Sequence, residues 1–395
     1  MTDSSDRSDR ERLVRWFARA VEAVRGDTAM RNALRHIPTP AAAPAIIAVG
    51  KAAPEMATAA LEWLAERGLR APRGLVVSHR SGVAVPGMDC VQGDHPQPGD
   101  NSERASQALE RFVESLAGAS PVWVHLSGGA TALIASPRKG TPADWMRSEF
   151  EELGGRGLDI HKLNAERRKL TRWGGGRLAD ALEGHQVLAW VISDVIGNDL
   201  TVIGSGPLMR DLEDTRVPHR IIADGATAVS AAIQAAHHSG FEAIAHDEPI
   251  VGEAELAARQ LAAWIVAQQD PADVDAVLHA WHSETTVTLP ASHGLGGRAQ
   301  MFSLALAREL ANLDNDLEAT VLVAGTDGRD GPTDAAGAVV DRHTVARIQG
   351  AGVDVESCIA RADSHRALDL AGCLLRTGAT GANVADLALV LLRRH

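Results

Sequence analysis

Three aspartates follow one apolar run near the end of the chain. Asp327, Asp330 and Asp334 come after Val321 to Ala324, with glycines and a proline between them. The run predicts a buried strand, and the glycine-rich segment predicts a loop at its carboxyl end. Ligands bind at this end of the strands in open α/β sheets. Carboxylates that share a pocket need a cation or a proton to coexist. The three residues are therefore candidate metal ligands, and a solvated acidic turn is the alternative.

A lysine follows a second predicted strand. The strand is Ala45 to Val49, and Gly50 and Lys51 come directly after it. The ammonium of Lys51 should project at the carboxyl edge of the sheet, where it can hold a phosphate or a carboxylate as a point charge. A surface lysine without a partner is the alternative. Because the chain contains no GxxxxGK[ST] loop, phosphate chemistry would need a scaffold other than a P-loop.

Glycine-rich loops follow two further predicted strands. Val122 to Leu126 runs into Ser127 to Gly129, and a helix start after this loop would expose amides that favour anions. The second loop contains Asp194 as a candidate base, Asp199 as a possible metal ligand, and the turn Gly204 to Gly206 as an amide nest. The Ser127 loop lacks the GxGxxG pattern of dinucleotide sites and the GxSxG elbow of serine hydrolases. An ordinary structural turn is the alternative for each loop.

Arginines in two segments are suited to anionic groups. In the basic segment 164–177, Arg168 and Arg172 would share one face of a helix and form a cationic wall for a phosphorylated ligand. Arg298 and Gln300 stand at the start of an apolar helix. Arginine binds phosphate or carboxylate in a bidentate way and stabilises charge in phosphoryl transfer. A solvated helix and a capped helix start are the respective alternatives.

Strands and helices alternate along most of the chain. This alternation predicts βα units, a parallel sheet and helices on both of its faces. Thr377 to Asn383 forms a further glycine–hydroxyl loop, and the residues after it, 384–392, are predicted as a helix. At 395 residues the chain exceeds one ordinary core. A break at Asp270 to Asp273 predicts two domains, residues 1–275 and 276–395.

Composition argues against several classes of protein. The net charge of −12 argues against a general nucleic-acid surface. Three cysteines without metal spacing argue against a disulfide framework and indicate a reducing compartment. The sequence shows no signal-peptide core and no run of about 20 apolar residues that could span a membrane. We therefore expect a cytoplasmic protein that binds neither nucleic acid nor membrane.

The ordered set of motifs resembles the glycerate 2-kinase family, the group with a small C-terminal MOFRL domain. The resemblance covers nearly the whole chain, and the combination of motifs is specific although each motif alone is weak. The motifs that carry it are Gly50-Lys-Ala52, Gly93-Asp-His-Pro-Gln-Pro98, Leu126-Ser-Gly-Gly129, Gly175-Gly-Arg-Leu-Ala179, Ser193-Asp-Val195, Gly204-Ser-Gly-Pro207, Gly252-Glu253, Glu284-Thr-Thr286, Gly296-Gly-Arg-Ala-Gln300, Gly325-Thr-Asp-Gly328, Asp330-Gly-Pro-Thr-Asp-Ala-Ala336 and Thr377-Gly-Ala-Thr-Gly-Ala-Asn383.

The resemblance implies a fold and an activity. The fold would be α/β, with a Rossmann-like N-terminal domain of parallel strands, a smaller α/β C-terminal (MOFRL) domain and an active site in the cleft between them. The activity would be the transfer of a phosphoryl group from ATP, with Mg²⁺, to the 2-hydroxyl of D-glycerate, which gives 2-phosphoglycerate. The partners would be a small hydroxy acid and a nucleotide, and the protein would be a monomer or a homodimer.

The resemblance also implies roles for single residues. Asp194 would accept or orient the proton of the substrate hydroxyl. Lys51 and Arg298 would neutralise charge on the phosphoryl group and on the substrate carboxylate. The candidate Mg²⁺ ligands, directly or through water, are Asp327, Asp330 and Asp334. The candidate substrate- and nucleotide-binding residues are Ser127, Gly128, Gly129, Arg168, Gly204, Ser205, Gly206, Gln300, Thr326, Asp327, Thr377 and Asn383.

The chain departs from the family pattern at several positions. The changes remove polar groups beside Arg298 and a cation near Arg172, which leaves the exact hydroxy acid open. A hydroxypyruvate reductase-type oxidoreductase is one alternative, although the missing GxGxxG pattern argues against nicotinamide binding. A non-catalytic ligand-binding protein with the same cleft is another. The departing residues are Ala130, Thr131, Gly174, Ala299, Met301, Ala379 and Ala382.

Overall fold

A computed structural model describes most of the chain, and the described part divides into two compact units. We call Val24–Asp224 with Gly381–Asn383 the parallel unit. We call Met1–Ala23 with Gly225–Thr380 and Val384–His395 the mixed unit. The described residues are 2–69, 73–138, 148, 149, 152, 166, 168–268, 276–313 and 317–394.

Helices and strands alternate along the described chain, which confirms the predicted α/β class. The strands are β1 (Ala45–Val49), β2 (Gly74–Ser78), β3 (Asp89–Gln92), β4 (Pro121–Leu126), β5 (Gln186–Ile192), β6 (His219–Ala223), β7 (Glu242–Glu253), β8 (Ala276–Thr286), β9 (Leu317–Gly325), β10 (Gly337–Val340), β11 (Leu374–Leu375) and β12 (Asp386–Arg394). The helices are α1 (Thr2–Val24), α2 (Gly26–Leu34), α3 (Ala53–Glu66), α4 (Asp100–Glu114), α5 (Ala130–Leu133), α6 (Arg177–Ala181), α7 (Gly225–His238), α8 (Ala254–Ala267), α9 (Arg298–Ala311), α10 (Thr344–Gly350), α11 (Val355–Ala360) and α12 (Ser364–Leu370).

The parallel unit contains a six-stranded sheet in the order β3-β2-β1-β4-β5-β6. Every pairing in it is parallel. This is the strand order of the Rossmann fold, in which the chain reverses its direction of winding between β1 and β4. Ligands of such sheets bind outside the carboxyl ends of the strands at this switch point. The predicted Rossmann-like sheet is confirmed. The loops that follow β1 and β4 are therefore the expected position of a ligand site.

The central strands of this sheet are continuous apolar runs because helices cover both of its faces. All five residues of β1 are buried. The helix that follows, α3, is rich in alanine and leucine, which favour helices. Pro54 lies in its first turn, where the missing N–H costs no intrahelical hydrogen bond. Because β1 ends at Val49 and α3 begins at Ala53, the connection between them is a short turn that contains Lys51.

The mixed unit contains a second six-stranded sheet, in the order β11-β10-β9-β12-β8-β7. Strand β7 pairs with β8 in parallel, and the other pairings are antiparallel. Helices α8 and α9 contribute their alanines and leucines to the core of this unit, together with the inward residues of β9 and β12. The glycine-rich loops near Arg298 and Asp327 therefore rest on a well-packed sheet and helix.

The helix predicted over residues 384–392 is wrong. These residues form most of β12, which lies between β8 and β9 in the middle of the sheet. Leu387 to Leu392 are all buried. A short apolar run of this kind suits a central strand and a buried helix equally well, so its periodicity does not distinguish them.

The compact units do not coincide with the predicted domains. The predicted boundary at residue 275 separates β7 from β8, although these strands pair over most of their length. The start of the chain also belongs to the mixed unit, where Asp9 accepts two hydrogen bonds from Arg393. The domains 1–275 and 276–395 thus stay a prediction about the division of the sequence.

Every helix in the described part of the chain is too short or too polar to cross a membrane.

A fully buried histidine lies in the middle of the parallel sheet. His125 is on β4, and its ring nitrogens have no hydrogen-bond partner among the described residues. Burial lowers the pKa of His125 to about 3. Because its pKa is lower in the folded than in the unfolded chain, the folded protein binds fewer protons below the unfolded pKa. Its contribution to stability is therefore complete above that value and is lost as the pH falls towards 3.

We predict that His125→Leu removes this part of the pH dependence. A single buried histidine should contribute a slope of up to about 1.4 kcal/mol per pH unit to the free energy of unfolding in the mildly acidic range. The measurement is urea unfolding of the wild type and the variant at a series of pH values between neutrality and the acid limit. The control is His219→Leu, at an exposed position on β6, the edge strand of the same sheet. Equal slopes for wild type and His125→Leu would contradict the prediction.

Candidate functional site

Predicted site residues meet at the carboxyl ends of three neighbouring strands in the parallel unit. Lys51 follows β1, the Ser127–Gly129 turn follows β4, and Asp194 follows β5. Asn383 joins them from a distant part of the sequence. We call the set Lys51, Ser127, Gly128, Gly129, Asp194 and Asn383 the strand-end cluster.

The turns after β1 and β4 are joined by backbone hydrogen bonds. The amide of Lys51 donates to the carbonyl of Gly128 over 3.0 Å, and the amide of Ser127 donates to that of Val49 over 3.1 Å. The hydroxyl of Ser127 accepts a hydrogen bond from the amide of Ala52 over 3.0 Å. Gly50 has φ +139°, and a Cβ there would lie 2.1 Å from the Ser127 hydroxyl. The Ser127 side chain thus holds the β1 turn in place, and only glycine fits at residue 50.

An amide–carboxylate pair lies beside this turn. The Nδ2 of Asn383 donates to Oδ2 of Asp194 over 2.9 Å. A Cβ on Gly128 would lie 2.0 Å from both of these atoms. The glycine therefore lets the pair approach the β4 turn, and Asn383 fixes the orientation of the Asp194 carboxylate.

The turn after β4 carries backbone amides that are suited to an anion. The amides of Gly128 and Gly129 donate to no acceptor among the described residues. Gly129 has φ +87°, and the side chains of His95 and Lys51 lie 3.0 Å and 3.5 Å from the position that its Cβ would occupy. The helix start predicted here is present, but α5 has only four residues, so its dipole adds little. The amides and Lys51 are the anion-attracting features of this turn.

The amide nest predicted at Gly204 to Gly206 is contradicted for two of its three amides. All three residues have positive φ, at +60°, +63° and +61°. The amides of Ser205 and Gly206 donate within the turn, to the carbonyls of Val202 and Ile203. Ser205 also bonds to the hydroxyl of Thr131 over 3.0 Å. The turn therefore supports its neighbours and leaves these two amides unable to cradle a phosphate.

The basic segment is organised by an arginine that sequence analysis did not single out. Arg177 donates to the backbone carbonyls of Arg168, Thr171 and Arg172. Burial, with the charge of Arg138, lowers the pKa of Arg177. The shared helical face predicted for Arg168 and Arg172 is wrong, because Arg172 lies beyond the helix and its amide bonds to Ser136.

The two arginines of that segment also differ in charge pairing. Arg172 forms an ion pair with Glu110. The side chain of Arg168 has no ion-pair partner among the described residues, so it keeps the cationic role proposed for it. Several neighbours of this segment lie outside the described residues.

Arg298 is held by two carboxylates of the mixed unit. Its Nε and Nη2 donate to Asp386 over 2.8 Å and 3.3 Å, and Nη1 donates to Glu284 over 3.1 Å. Burial opposes the charge, but Asp386 and Glu284 outweigh it and hold the pKa of Arg298 above its usual value. Burial raises the pKa of Asp386, and Arg298 opposes this shift. The guanidinium is thus fixed in one orientation.

Asp330 and Gln300 form a buried unit at the start of α9. Oδ1 of Asp330 accepts from the amide of Ala299 over 3.1 Å, and Oδ2 accepts from the amide of Gln300 over 2.8 Å and from its Nε2 over 3.0 Å. Burial and the charge of Asp386 raise the pKa of Asp330 to about 6, against the opposing effect of these amides. Asp330 therefore satisfies the first amides of α9, which a helix leaves unpaired.

The three aspartates of the predicted metal site do not share a pocket. Asp334 is exposed and pairs with Arg376 and His365, which lower its pKa to about 2. Asp330 points its oxygens at α9, and Oδ1 of Asp327 accepts from the amide of Arg329 over 3.0 Å. In the described part of the chain, no group of three or more His, Cys, Asp or Glu side chains could hold a metal ion. The expectation that these residues face one cation is therefore wrong.

The two remaining predicted binding residues differ in exposure. Thr326 is buried, and its hydroxyl donates to the carbonyl of Ala385 over 2.7 Å and accepts from the amide of Val384 over 2.9 Å. This hydroxyl joins the loops that follow β9 and precede β12. Thr377 is exposed, and its hydroxyl donates to the carbonyl of Gly378. Thr326 therefore has a structural role, and Thr377 remains accessible.

Asp386, which holds Arg298, is the main candidate site residue that the sequence did not reveal. It stands directly before a run of apolar residues, and it is 5% exposed. A single acid at the start of a buried strand was the available signal, since a buried carboxylate needs a partner. Glu284 appeared only within a motif, and its pairing with Arg298 was not foreseen.

Two family models match the chain in succession. The first, described as a domain of unknown function (DUF4147), matches residues 12–238, and the MOFRL family matches residues 277–386. The first match alone spans more than half of the chain. The two matches together confirm the order of the two sequence regions on which the resemblance rested.

Similar proteins match most of the length of this chain. A D-glycerate 2-kinase from Thermotoga maritima is 30% identical, over 95% of this chain and 96% of its own. A putative hydroxypyruvate reductase from Agrobacterium vitis is 31% identical, over 88% of this chain and 98% of its own. A crystal structure of glycerate kinase from Thermotoga maritima matches with a TM-score of 0.83 and 29% identity, over 98% of this chain and 99% of the other. Taken with the family matches, these similarities place the chain in the glycerate 2-kinase family of phosphotransferase enzymes.

Proposed function

We propose that this protein transfers the terminal phosphoryl group of ATP to the 2-hydroxyl of D-glycerate, or of a closely related hydroxy acid, to give the 2-phosphate. The observation that carries the proposal is the strand-end cluster. It brings a lysine, a turn whose amides meet no acceptor in the described part of the chain, and an oriented carboxylate together at the switch point of a Rossmann-type sheet. Phosphoryl transfer requires mainly positioning and charge stabilisation, which these groups supply.

Asp194 is the proposed base. Its carboxylate would accept the proton of the attacking hydroxyl as the oxygen forms its bond to phosphorus. Asn383 donates to Oδ2 and thereby holds the carboxylate in one orientation. A carboxylate of fixed direction needs no reorganisation when the reaction begins, which favours the transition state.

Lys51 and the amides of Gly128 and Gly129 are the proposed phosphate-binding groups. The ammonium is a point charge that can follow the developing negative charge on the transferring group. The two amides face no acceptor among the described residues, so an oxyanion would satisfy them. The hydroxyl of Ser127 already accepts from Ala52, so its proposed contribution is the shape of the turn.

Arg298 is proposed to stabilise charge on the phosphoryl group or on the substrate carboxylate. Asp386 and Glu284 hold its guanidinium and leave it charged. Gln300 keeps only an indirect role, because its side-chain amide is committed to Asp330 and Thr333.

The fit to Mg²⁺ is limited to one of the three predicted ligands. Asp330 and Asp334 are committed to amides and to cationic side chains, so they do not suit a metal. Asp327 remains as the candidate ligand, directly or through water. This is compatible with Mg²⁺, which binds through one or two carboxylates and the substrate phosphates and keeps several waters. Bound there, the ion would neutralise charge on the phosphates.

We predict that Gly128→Ala lowers turnover by about 100-fold, the scale expected when a reacting group is misplaced by about 1 Å. The new methyl group would lie 2.0 Å from the Asp194 carboxylate and must displace it or Asn383. The measurement is kcat, with thermal unfolding as a check on folding. Gly350→Ala is the control, because a Cβ at Gly350 meets nothing within 4 Å. Wild-type kcat in Gly128→Ala would remove the cluster from the reaction.

The proposed function is tested by ADP release from ATP and Mg²⁺ with D-glycerate and with related 2-hydroxy acids. We expect turnover that depends on the hydroxy acid and on the nucleotide. The name of the Agrobacterium vitis relative favours a second function, reduction of hydroxypyruvate. A parallel assay with hydroxypyruvate and reduced nicotinamide nucleotides decides between them. Nicotinamide oxidation without ADP release would overturn the kinase proposal. The absence of both activities would also overturn it and would favour a ligand-binding protein.

Two further expectations concern the location of the protein in the cell and its oligomeric state. A cytoplasmic location and a monomeric or homodimeric state stay predictions. Fractionation of cells that produce the protein and light scattering of the purified protein test them directly.

A further inference from the structure

A polar, open cavity lies in the parallel unit, next to the turn that carries Lys51. It has a volume of about 420 Å³, and α2, the start of α3 and the loop after β2 line it. This volume is within the range of about 300–1,000 Å³ that is typical of small-molecule sites. Every residue that lines it belongs to the parallel unit. D-glycerate alone would not fill a cavity of this volume, which has room for a larger ligand.

The charges around the cavity are balanced. Glu55 and Arg80 form an ion pair of 2.5 Å, and Asp27 and Arg31 form one of 3.1 Å. Two carboxylates and two guanidinium groups leave the lining close to neutral. A trap for phosphate or for a small carboxylate would have an excess of cations. The balance therefore favours a neutral ligand that carries both donors and acceptors.

Glu55 and Arg80 each contribute one buried polar atom with unused hydrogen-bonding capacity. Oε2 of Glu55 and Nε of Arg80 have no hydrogen-bond partner among the described residues. Oδ1 of Asp27 also lacks one there, but it lies 3.2 Å from Nε of Arg25 in an ion pair. Buried polar groups normally have a partner, because the loss of hydration is costly. A carboxylate oxygen accepts from hydroxyl groups, and Nε of arginine donates. The cavity thus offers one acceptor and one donor to a ligand.

The position of the cavity relates it to the strand-end cluster. Glu55 lies in the first turn of α3, four residues after Lys51. The loop Arg80 to Val85 follows β2, the strand that pairs with β1 on the side away from β4. A ligand whose phosphates bind near Lys51 can therefore extend along the carboxyl edge of the sheet into the cavity.

We propose that this cavity binds the nucleoside part of the phosphoryl donor. The proposal rests on the kinase function proposed above and adds to it the position of the nucleoside. Oε2 of Glu55 accepts from a ribose hydroxyl, and Nε of Arg80 donates to an acceptor of the ribose or the base. Guanidinium groups also stack on planar rings, and Val83 and Val85 supply apolar wall.

The test compares ligands that share phosphates and differ in the nucleoside. Isothermal titration calorimetry measures the affinity of the wild type, Glu55→Gln and Ala84→Trp for ADP and for inorganic tripolyphosphate. Glu55→Gln weakens the acceptor, and Ala84→Trp fills the cavity from an exposed loop position. Glu66→Gln, at the exposed end of the same helix, is the matched control. Thermal unfolding confirms that each variant is folded.

We expect both cavity variants to bind ADP at least about tenfold more weakly, which corresponds to about 1.4 kcal/mol, and tripolyphosphate as the wild type does. In the kinase assay, both variants should raise the KM for ATP and leave the KM for D-glycerate unchanged. Wild-type ADP affinity in both variants, or an equal loss for ADP and tripolyphosphate, would overturn the nucleoside site. A shift in the KM for D-glycerate alone would overturn it too and assign the cavity to the acceptor. If the wild type phosphorylates no hydroxy acid, the proposed function fails, while the ADP titrations still decide the cavity.

Discussion

Asp194→Asn should lower kcat by about 10²–10⁴-fold, the usual contribution of a general acid or base. The asparagine keeps the size of the side chain and removes its ability to accept the proton of the attacking hydroxyl. Asn383, whose Nδ2 now donates to Asp194 over 2.9 Å, can still bond to the amide oxygen. Binding of the nucleotide should therefore persist. The measurement is kcat from steady-state kinetics, with ADP affinity from calorimetry.

Asp211→Asn is the control for this variant, because Asp211 is exposed and bonds only to a nearby backbone amide among the described residues. It should retain the kcat of the wild type. Asn383→Ala should give an intermediate loss, since it removes the group that orients Asp194 and leaves the base. A kcat in Asp194→Asn within a few-fold of the wild type would show that another group takes the proton.

Asp386→Ala should destabilise the mixed unit by about 3–5 kcal/mol, the usual effect of removing one partner from a buried ion pair. Asp386 is 5% exposed, and its carboxylate takes two of the three hydrogen bonds that hold Arg298. Its removal leaves the guanidinium with Glu284 alone. The measurement is urea unfolding followed by tryptophan fluorescence, with kcat of the folded variant as a second readout.

The conservative variant Asp386→Asn separates charge from hydrogen bonding. It keeps one acceptor for Arg298, so we expect a smaller loss of stability than in Asp386→Ala. Glu284→Gln should cost less than either, because the Glu284 side chain is more exposed. If Asp386→Ala unfolds at the same urea concentration as the wild type, the carboxylate does not support this part of the fold.

The strand ends of the parallel unit were accessible from the sequence for a physical reason. Strands buried on both faces are continuous apolar runs, and small or polar residues mark their ends. Ser127 follows such a run directly, and Lys51 and Asp194 each follow one after a single intervening residue. Because parallel strands place their carboxyl ends at one edge, the prediction of strands also predicted that these residues converge.

Contacts between distant segments were not accessible in the same way. Asn383 and Asp194 are 189 residues apart, and nothing in the local pattern of either shows that they pair. The same holds for Asp386, which meets Arg298 only because β12 lies beside β8 and β9. The sequence predicted a helix where β12 lies, so this neighbourhood could not be derived from it.

The spacing of Asp327, Asp330 and Asp334 in the sequence does not show in which direction each side chain points. Residues three or four apart in a loop do not point in a common direction, because a loop has no fixed period. Asp330 turns inward because the first amides of α9 need acceptors, and Asp334 turns outward to Arg376. Whether a carboxylate binds a metal depends on the amides and guanidinium groups that compete for its oxygens. These competing groups are identified only when the fold is known.

We propose that the strand-end cluster directs a phosphoryl group to the 2-hydroxyl of the acceptor. The decisive measurement is phosphorus NMR of the product that the wild type forms from ATP, Mg²⁺ and D-glycerate. A phosphate on C2 couples to the single proton of that carbon, whereas a phosphate on C3 couples to a pair of methylene protons. We expect the first pattern, formed by the wild type and formed far more slowly by Asp194→Asn. Phosphate on C3, or the same product formed at the same rate by Asp194→Asn, would contradict it.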